Sequence, residues 1–305
     1  MRERVAAICG FLFVGTILIG GCSSDRGGGR LSLSEQRDEA QAIQDPAQRS
    51  EALVNVAKKY VTAADLSGAL DCLRKGTEAA QDIPLEQEAA ERVRAYMNLA
   101  AAWYQAGDQE YCEKAYEEAK DSLEEVDDPA QKTELLIDLA LLKIEIEETS
   151  DAAEDLESAQ EQSEEISDIY VRIEMLSWVA YGHKKLDDQE EARAVMDLAK
   201  DLAKEEEAPG DQARLLAVVG REQISSLADE AAGLETLEEA ATIARSIEDN
   251  AYLQGSVLVD IAENYLKVGQ KENTRQLLNE ADEISQGKSE CKPVLENIEK
   301  VRSQL

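Results

Sequence analysis

Hydrophobic residues recur along this chain at helical spacing in six separate segments. In the fourth segment Leu176, Val179, Ala180 and His183 fall at positions i, i+3, i+4 and i+7, which places them on one face of an α-helix. A short turn sequence follows each segment, and then a second stretch in which small and large residues lie four positions apart. The pattern predicts an all-α fold built from helix pairs.

The six segments repeat at nearly constant intervals of 43, 40, 40, 40 and 42 residues. Each carries a small residue at the same place, namely Ala57, Ala100, Ala140, Ala180, Gly220 and Ala262. Self-similarity at a fixed period is the signature of a repeat array. A helix over residues 31–44 and a closing helix over 293–304 are expected to cover the two ends of the array.

All five prolines avoid the interiors of the predicted helices. Four lie between repeats and Pro293 opens the closing helix. Asp45-Pro46 and Asp128-Pro129 each predict an N-cap residue followed by the first helical position, where the missing N–H of proline costs nothing.

The order of large and small residues within a repeat resembles the tetratricopeptide repeat (TPR). The second repeat carries this resemblance on Tyr96, Leu99, Ala100, Trp103, Cys112, Tyr116 and Ala119. The resemblance covers about residues 45–286 and implies a right-handed α-solenoid of about six TPR-like helix pairs. The period of about 40 residues exceeds the usual 34, so longer helices are expected.

Three repeats depart from the TPR-like pattern. Lys143 and His183 stand in the third and fourth repeats where an aromatic residue is usual, and Gln223 stands there in the fifth. The fifth repeat also has Gly233 in its second helix and one extra residue.

The N-terminal segment has three possible interpretations. Arg2 and Arg4 precede an apolar run, and no charged residue occurs from Val5 through Ser24. A membrane-spanning anchor needs about 20 apolar residues, and an ordinary secretory peptide ends in an A-x-A-like site. The third interpretation is a lipoprotein signal, because residues 19–22, Ile-Gly-Gly-Cys, resemble the lipobox of bacterial lipoproteins.

That resemblance implies cleavage between Gly21 and Cys22 and attachment of acyl chains such as palmitate to Cys22. The expected organisation is a signal peptide at 1–21, an acylated cysteine and flexible tether at 22–34, a helical array at 35–286 and a capping helix at 287–305. The expected location is the bacterial envelope, lipid-anchored on the outer membrane and facing the periplasm, with the inner membrane as the alternative.

The chain is strongly acidic, with a formal net charge of −33. Residues 2–4 contribute +1, so the part from Cys22 onward carries −34. This balance excludes nucleic-acid binding by the bulk surface, which needs clustered Lys and Arg. Two interpretations stay open: the charge keeps the protein soluble, or it serves a basic partner.

The sequence offers little for catalysis or metal binding. Its single histidine, His183, lies in a core-facing helical position, and no nucleophile, zinc or phosphate-loop motif is present. Cys72 and Cys112 fall at predicted core positions and are expected to be buried thiols. We therefore expect no enzyme, no cofactor and no metal.

A binding surface is the remaining candidate. In TPR-like arrays the first helix of each pair lines a concave groove, and its residues between packing positions contact ligands. Here 36 such positions hold seven basic and seven acidic residues, whereas the average of the mature chain would give about −4. The resemblance implies a partner-binding site on this concave face at Arg94, Tyr104, Trp178, Tyr181 and Arg221.

The predicted function is therefore a membrane-tethered scaffold that binds a protein or peptide segment in the envelope. The alternative is a self-associating structural envelope protein without a dedicated peptide ligand. In that alternative the closing helix and Cys291 form the contact of a homo-oligomer.

Overall fold

A computed structural model describes residues 31–248 and 250–305, and all regular structure in those ranges is helical. The α-helices are α1 (Leu33–Gln41), α2 (Pro46–Thr62), α3 (Leu66–Gln81), α4 (Leu85–Gln105), α5 (Gln109–Leu123), α6 (Pro129–Glu145), α7 (Thr149–Ser163), α8 (Ile169–Lys185), α9 (Gln189–Lys204), α10 (Pro209–Ser225), α11 (Glu230–Arg245), α12 (Ala251–Lys267), α13 (Lys271–Ser285) and α14 (Lys292–Arg302), with a short 3₁₀ turn at Ser289–Cys291 before the last.

The helices from α2 to α13 form the six predicted TPR-like pairs. The described residues divide into two compact units, one that ends at residue 159 and one that begins at residue 160. Within the first unit α2 packs on α3 and α4 on α5, and the first helices stack as α2 on α4 and α4 on α6. Within the second unit α8 packs on α9, α10 on α11 and α12 on α13, and α8, α10 and α12 stack in that order.

The two end helices differ in length from their predictions. The predicted first helix over 31–44 is shorter, because Ser32 and Glu35 form a capping box that starts α1 at Leu33. Helix α1 ends at Gln41 and helix α2 begins at Pro46. Asp45 is the N-cap of α2, and its carboxylate accepts a hydrogen bond from the N–H of Gln48 at 2.8 Å. At the other end α14 packs on α12 and α13 as a closing helix.

The residues that carry the repeat pattern form the core. In the second repeat Tyr96, Leu99, Ala100 and Trp103 are at most 1% exposed. Small residues on the second helix face them, and Cys112 and Ala119 are equally buried. Alanine at these crossing points lets two helices approach closely, and the large residues fill the space around each crossing.

The same turn joins the two helices of every pair. One residue in each turn has a left-handed conformation with φ between 58° and 82°: Ala64, Gly107, Glu147, Asp187, Ala228 and Gly269. The N–H of the next residue donates to the carbonyl of the residue in the aromatic position of the first helix, at 2.9–3.0 Å in all six turns. This bond satisfies a carbonyl that a helix end otherwise leaves without a partner.

The residue that donates this bond also begins the second helix. In four pairs it is an aspartate whose carboxylate accepts from the backbone N–H three residues later at 3.0–3.3 Å: Asp65, Asp108, Asp188 and Asp229. A side-chain cap of this kind stabilises a helix by about 1 kcal/mol. Glu148 and Gln270 occupy the same position in the third and sixth pairs.

The fifth pair keeps the packing that its sequence obscures. Gly233 occupies the small position of the second helix, against Gly220 of the first, and a Cβ on Gly233 would lie 2.5 Å from the Gly220 carbonyl oxygen. Two glycines therefore bring α10 and α11 closer than alanines allow. The extra residue lies in the turn, where the N–H of Asp229 reaches back six positions to the carbonyl of Gln223.

The cysteines of the described residues are buried thiols. The prediction for Cys72 and Cys112 is confirmed, and burial raises the pKa of each thiol to about 11. Cys291 is also buried, at 0% exposure. The expected role of Cys291 as a surface contact is therefore wrong, because a thiol with no exposed surface cannot form it.

Among the described residues, no helix combines the length and the apolar character that crossing a membrane requires.

The shared turn makes a testable prediction about stability. A Cβ on Gly107 would meet no atom within 4 Å, so Gly107→Ala tests the backbone alone, and we expect it to lower the free energy of unfolding by about 1 kcal/mol. Ala64→Gly in the equivalent turn should raise it by about 0.5 kcal/mol. Urea unfolding followed by circular dichroism measures both changes.

The adjacent Ala63, whose φ is −81°, provides the matched control. Ala63→Gly should lower the free energy of unfolding, since glycine there adds only chain entropy to the unfolded state. Equal effects of Ala63→Gly and Ala64→Gly would contradict the strain assigned to this turn.

Candidate partner-binding surface

The predicted lipid site, Gly21 and Cys22, lies outside the described residues. The predicted partner contacts all lie on first helices, as the repeat pattern requires. Arg94 and Tyr104 belong to the first unit, and Trp178, Tyr181 and Arg221 belong to the second.

In the first unit both predicted contacts lie on α4. Arg94 is exposed and Tyr104 is half-buried. Ten residues separate them, which corresponds to a rise of about 15 Å along the helix. Between them Met97 and Asn98 are partly exposed, whereas Leu99 and Ala100 point into the core. The exposed side of α4 therefore presents a mixed polar and apolar strip.

In the second unit Trp178 and Tyr181 form an aromatic pair on α8. Their ring centroids are 5.8 Å apart and their planes are nearly perpendicular, at 88°. Trp178 is only 4% exposed, so it supports the tyrosine rather than offering a surface of its own. Lys185 places its Nζ 5.3 Å from the centre of the Tyr181 ring, and an ammonium at this distance is attracted to the ring face.

Arg221 lies on α10, the next first helix of the second unit, and it is held by two neighbours. Its guanidinium donates to the carboxylate of Glu222 at 2.6 and 3.0 Å and to Oδ1 of Asn264 at 3.2 Å. Glu222 is 4% exposed and also accepts from the hydroxyl of Ser225 at 3.1 Å. These bonds fix the guanidinium in a partly exposed position, so a ligand meets a preorganised cation.

A cluster of ionic side chains in the first unit explains one departure from the repeat pattern. Lys143 takes the aromatic position of the third repeat and is completely buried. Its Nζ donates to Glu148 and to Glu113 at 3.0 Å, and it lies 3.3 Å from a carboxylate oxygen of Asp151. The ammonium also lies 3.8 Å from the centre of the Tyr116 ring. The lysine side chain thus takes the place of the usual aromatic ring, and its charge is paired with carboxylates.

The electrostatics of this cluster favour the charged lysine. Burial alone lowers the pKa of Lys143, but the hydrogen bonds to Glu148 and Glu113 outweigh it and raise that pKa above its ordinary value. Glu113, Glu148 and Asp151 lie close enough together to ligate a metal ion. The Lys143 ammonium contacts all three carboxylates, so the cation that balances their charge is a side chain of the protein itself.

A buried carboxylate continues the network. Asp155 is completely buried and accepts from the Tyr116 hydroxyl and from Lys120 Nζ at 2.8 Å. Burial and the hydrogen bond to Asp155 raise the pKa of the Tyr116 phenol. These contacts tie α5 to α7, so the network holds the helices together.

The first unit contains a groove of about 840 Å³ that the sequence pattern did not predict. It lies between α3 and α5, the second helices of the first two pairs, and α4 supplies Tyr96 and Trp103 to it. We call it the α3–α5 groove. Its exposed aromatic residue, Tyr111, and the acidic residues spaced three or four apart on α5 were visible in the sequence. The TPR-like resemblance had directed attention to the first helices alone.

No protein-family model and no curated protein matches this sequence. Several solved structures resemble it weakly. A circular tandem repeat protein with novel repeat topology is 16% identical, with 89% of this chain and 74% of that one covered and a TM-score of 0.47. Ton1535 from Thermococcus onnurineus NA1 is 14% identical, with coverage of 87% and 83% and a TM-score of 0.31.

The apo form of RapI is 12% identical, with 88% of this chain and 90% of that one covered and a TM-score of 0.36. At these identities and TM-scores none of the structures indicates what this chain binds. The TPR-like arrangement stands on the chain's own six helix pairs, their shared turn and their buried small and large positions.

The lysine cluster leads to a second prediction. Lys143→Met leaves three carboxylates around an apolar side chain, and we expect it to lower the free energy of unfolding by about 3 kcal/mol. The double variant Lys143→Tyr with Glu148→Asp restores the pairing found at Tyr60 and Asp65, and should recover part of that loss. Urea unfolding of Lys143→Met measures the loss, and urea unfolding of the wild type, Lys143→Tyr, Glu148→Asp and the double variant measures the coupling between the two positions.

Lys114→Met is the matched control, since the Lys114 side chain is 60% exposed and pairs with Glu110 on the helix surface. We expect a change below about 0.5 kcal/mol. Similar effects at Lys143 and Lys114 would show that the cluster does not stabilise the third repeat.

Proposed function

We propose that this chain is a lipid-anchored scaffold of the bacterial envelope that binds a protein or peptide segment along its first helices. One observation carries the proposal. Within each unit the first helices stack directly on one another, α2, α4 and α6 in the first and α8, α10 and α12 in the second. Residues between the packing positions of adjacent helices therefore form a continuous surface rather than isolated contacts.

The composition of this surface supports a protein ligand. In the first unit its 18 positions carry two basic and four acidic residues, and in the second unit the other 18 positions carry five basic and three acidic residues. Tyr104, Tyr181 and the fixed guanidinium of Arg221 are the residue types that anchor protein interfaces. Because neither set has a net charge of more than two, like-charge repulsion is weak there and a partner of either sign can approach.

The proposed anchor rests on the sequence around Cys22. Small residues precede this cysteine, and an uncharged apolar run led by two arginines comes before them. A glycine- and serine-rich stretch follows, and about twelve flexible residues span roughly 20 Å. Two or more acyl chains are needed for stable attachment, because one chain binds a membrane only marginally. Ser23, and not an aspartate, follows Cys22, which favours the outer membrane.

The anchor is tested by metabolic labelling with a palmitate analogue. We expect label on the full-length protein and complete loss of that label in Cys22→Ala. Cys72→Ala is the matched control and should keep the label, since the Cys72 thiol is buried in the first repeat. Equal labelling of the wild type and Cys22→Ala would rule out the lipid anchor.

The binding surface is tested by site-specific photo-crosslinking in cells. A benzophenone side chain in place of Tyr104 or Tyr181 should give adducts with a protein partner, and Tyr181→Ala should reduce recovery of the partner that crosslinks to the second unit several-fold. The control position is Glu157, which is exposed on the second helix α7.

Adducts of equal yield at Glu157 would contradict a specific first-helix surface. Adducts with the mass of two copies of this chain would instead support the structural, self-associating alternative. The burial of Cys291 removes the thiol contact from that alternative and leaves it only the surface of the closing helix.

A further inference from the structure

We propose that the α3–α5 groove is a second docking site, which binds an extended basic peptide segment of a partner protein. The groove lies on second helices, so this proposal does not depend on the first-helix surface. Gln81 of α3 lies on one side, Gln109 to Asp121 of α5 line the other, and Tyr96 and Trp103 of α4 form the floor.

The charge of the groove selects a cationic ligand. Six carboxylates and one ammonium, that of Lys114, line it, which gives the lining a formal charge of −5. Arg92 pairs with Glu118, and Lys143 pairs with both Glu113 and Glu148, so counting these two cations leaves −3. This excess negative charge in a concave site attracts Lys and Arg side chains.

Two of the carboxylates are available to a ligand. Glu117 and Asp121 are exposed, and neither makes an ion pair with any described residue. They lie four positions apart on α5, so their side chains are neighbours about 6 Å apart on one face of the helix. A single arginine or lysine side chain can contact both.

An aromatic platform lies at the other end of α5. Tyr111 is 38% exposed, and its ring stacks on the buried Trp103 ring with centroids 4.7 Å apart and planes inclined by 23°. Lys114 Nζ lies 5.0 Å from the centre of the Tyr111 ring, so this ring already attracts one cation. A guanidinium stacks on such a supported ring at little conformational cost.

The floor of the groove holds a buried polar group, the Tyr96 hydroxyl. It interacts with Arg92 and Glu118, but it makes no hydrogen bond of ordinary geometry with any described residue. Burial raises the pKa of this phenol to about 12, so it is a hydrogen-bond donor at neutral pH. A peptide carbonyl is a suitable acceptor, and leaving a buried donor unpaired costs about 1–3 kcal/mol.

The dimensions indicate a peptide rather than a metal ion or a second copy of this chain. Residues 109–121 rise about 18 Å along α5, which matches five or six residues of extended peptide. The carboxylate triad with metal-ligand spacing already contacts Lys143. A second copy would bring a net charge of −33 to an acidic groove, which repulsion opposes.

The test uses the purified full-length chain in mild detergent and fluorescent nine-residue peptides that alternate arginine with leucine or glutamate with leucine. We expect saturable binding of the arginine peptide by fluorescence anisotropy and at least tenfold weaker binding of the glutamate peptide. The double variant Glu117→Gln with Asp121→Asn should weaken arginine-peptide binding at least fivefold, and Tyr111→Ala should weaken it as well.

The matched control is Glu154→Gln with Glu157→Gln, which removes the same charge from exposed positions of α7 outside the groove. Equal weakening by the two double variants would show that the bulk acidic surface binds the peptide, and the groove would be rejected. Unchanged circular dichroism of each variant excludes unfolding as the cause. Tyr181→Ala should leave peptide binding unchanged, so failure of this proposal is distinguishable from failure of the first-helix surface.

Discussion

The close crossing of two helices in each pair is the constraint on which the rest of the fold depends. Alanine, glycine, cysteine or threonine stands wherever one helix meets its partner, and a Cβ at Gly220 or Gly233 would already collide with the facing backbone. Because the crossing is tight, the connecting turn must reverse the chain within a few residues. The left-handed residue and the N–H bond to the preceding helix accomplish this reversal in all six pairs.

The third repeat shows how far a repeat can vary while it keeps this geometry. Its aromatic position holds Lys143, and its turn holds Glu148 where four other pairs have a capping aspartate. The two changes belong together, since the longer Glu148 side chain reaches the lysine that replaced the ring. The carboxylates of Glu113, Glu148 and Asp151 surround this buried cation, and removing one member of such a group leaves an uncompensated charge.

Sequence periodicity was sufficient to predict the helix pairs, because residues buried at spacings of three and four positions form a regular pattern of apolar residues along the sequence. Asp45 and Asp128 were likewise readable as caps, since proline at the next position limits the alternatives. The role of Gly233 was not readable, because whether a glycine breaks a helix or lets two helices meet depends on what faces it. The α3–α5 groove was missed for a related reason: its lining comes from three helices, and no linear motif joins Gln81, Trp103 and Glu117.

The two proposed surfaces differ in how their charge compares with the large negative charge of the chain. On the first helices of the second unit basic residues outnumber the acidic ones, and Glu222 and Asn264 hold Arg221 in place, so the proposed recognition there depends on shape and aromatic contacts. In the groove Glu117 and Asp121 have no ion-pair partner among the described residues. Their electrostatic attraction therefore acts on a basic partner before contact, and it weakens as salt is added. A scaffold with both surfaces can therefore hold two partners whose binding responds differently to ionic strength.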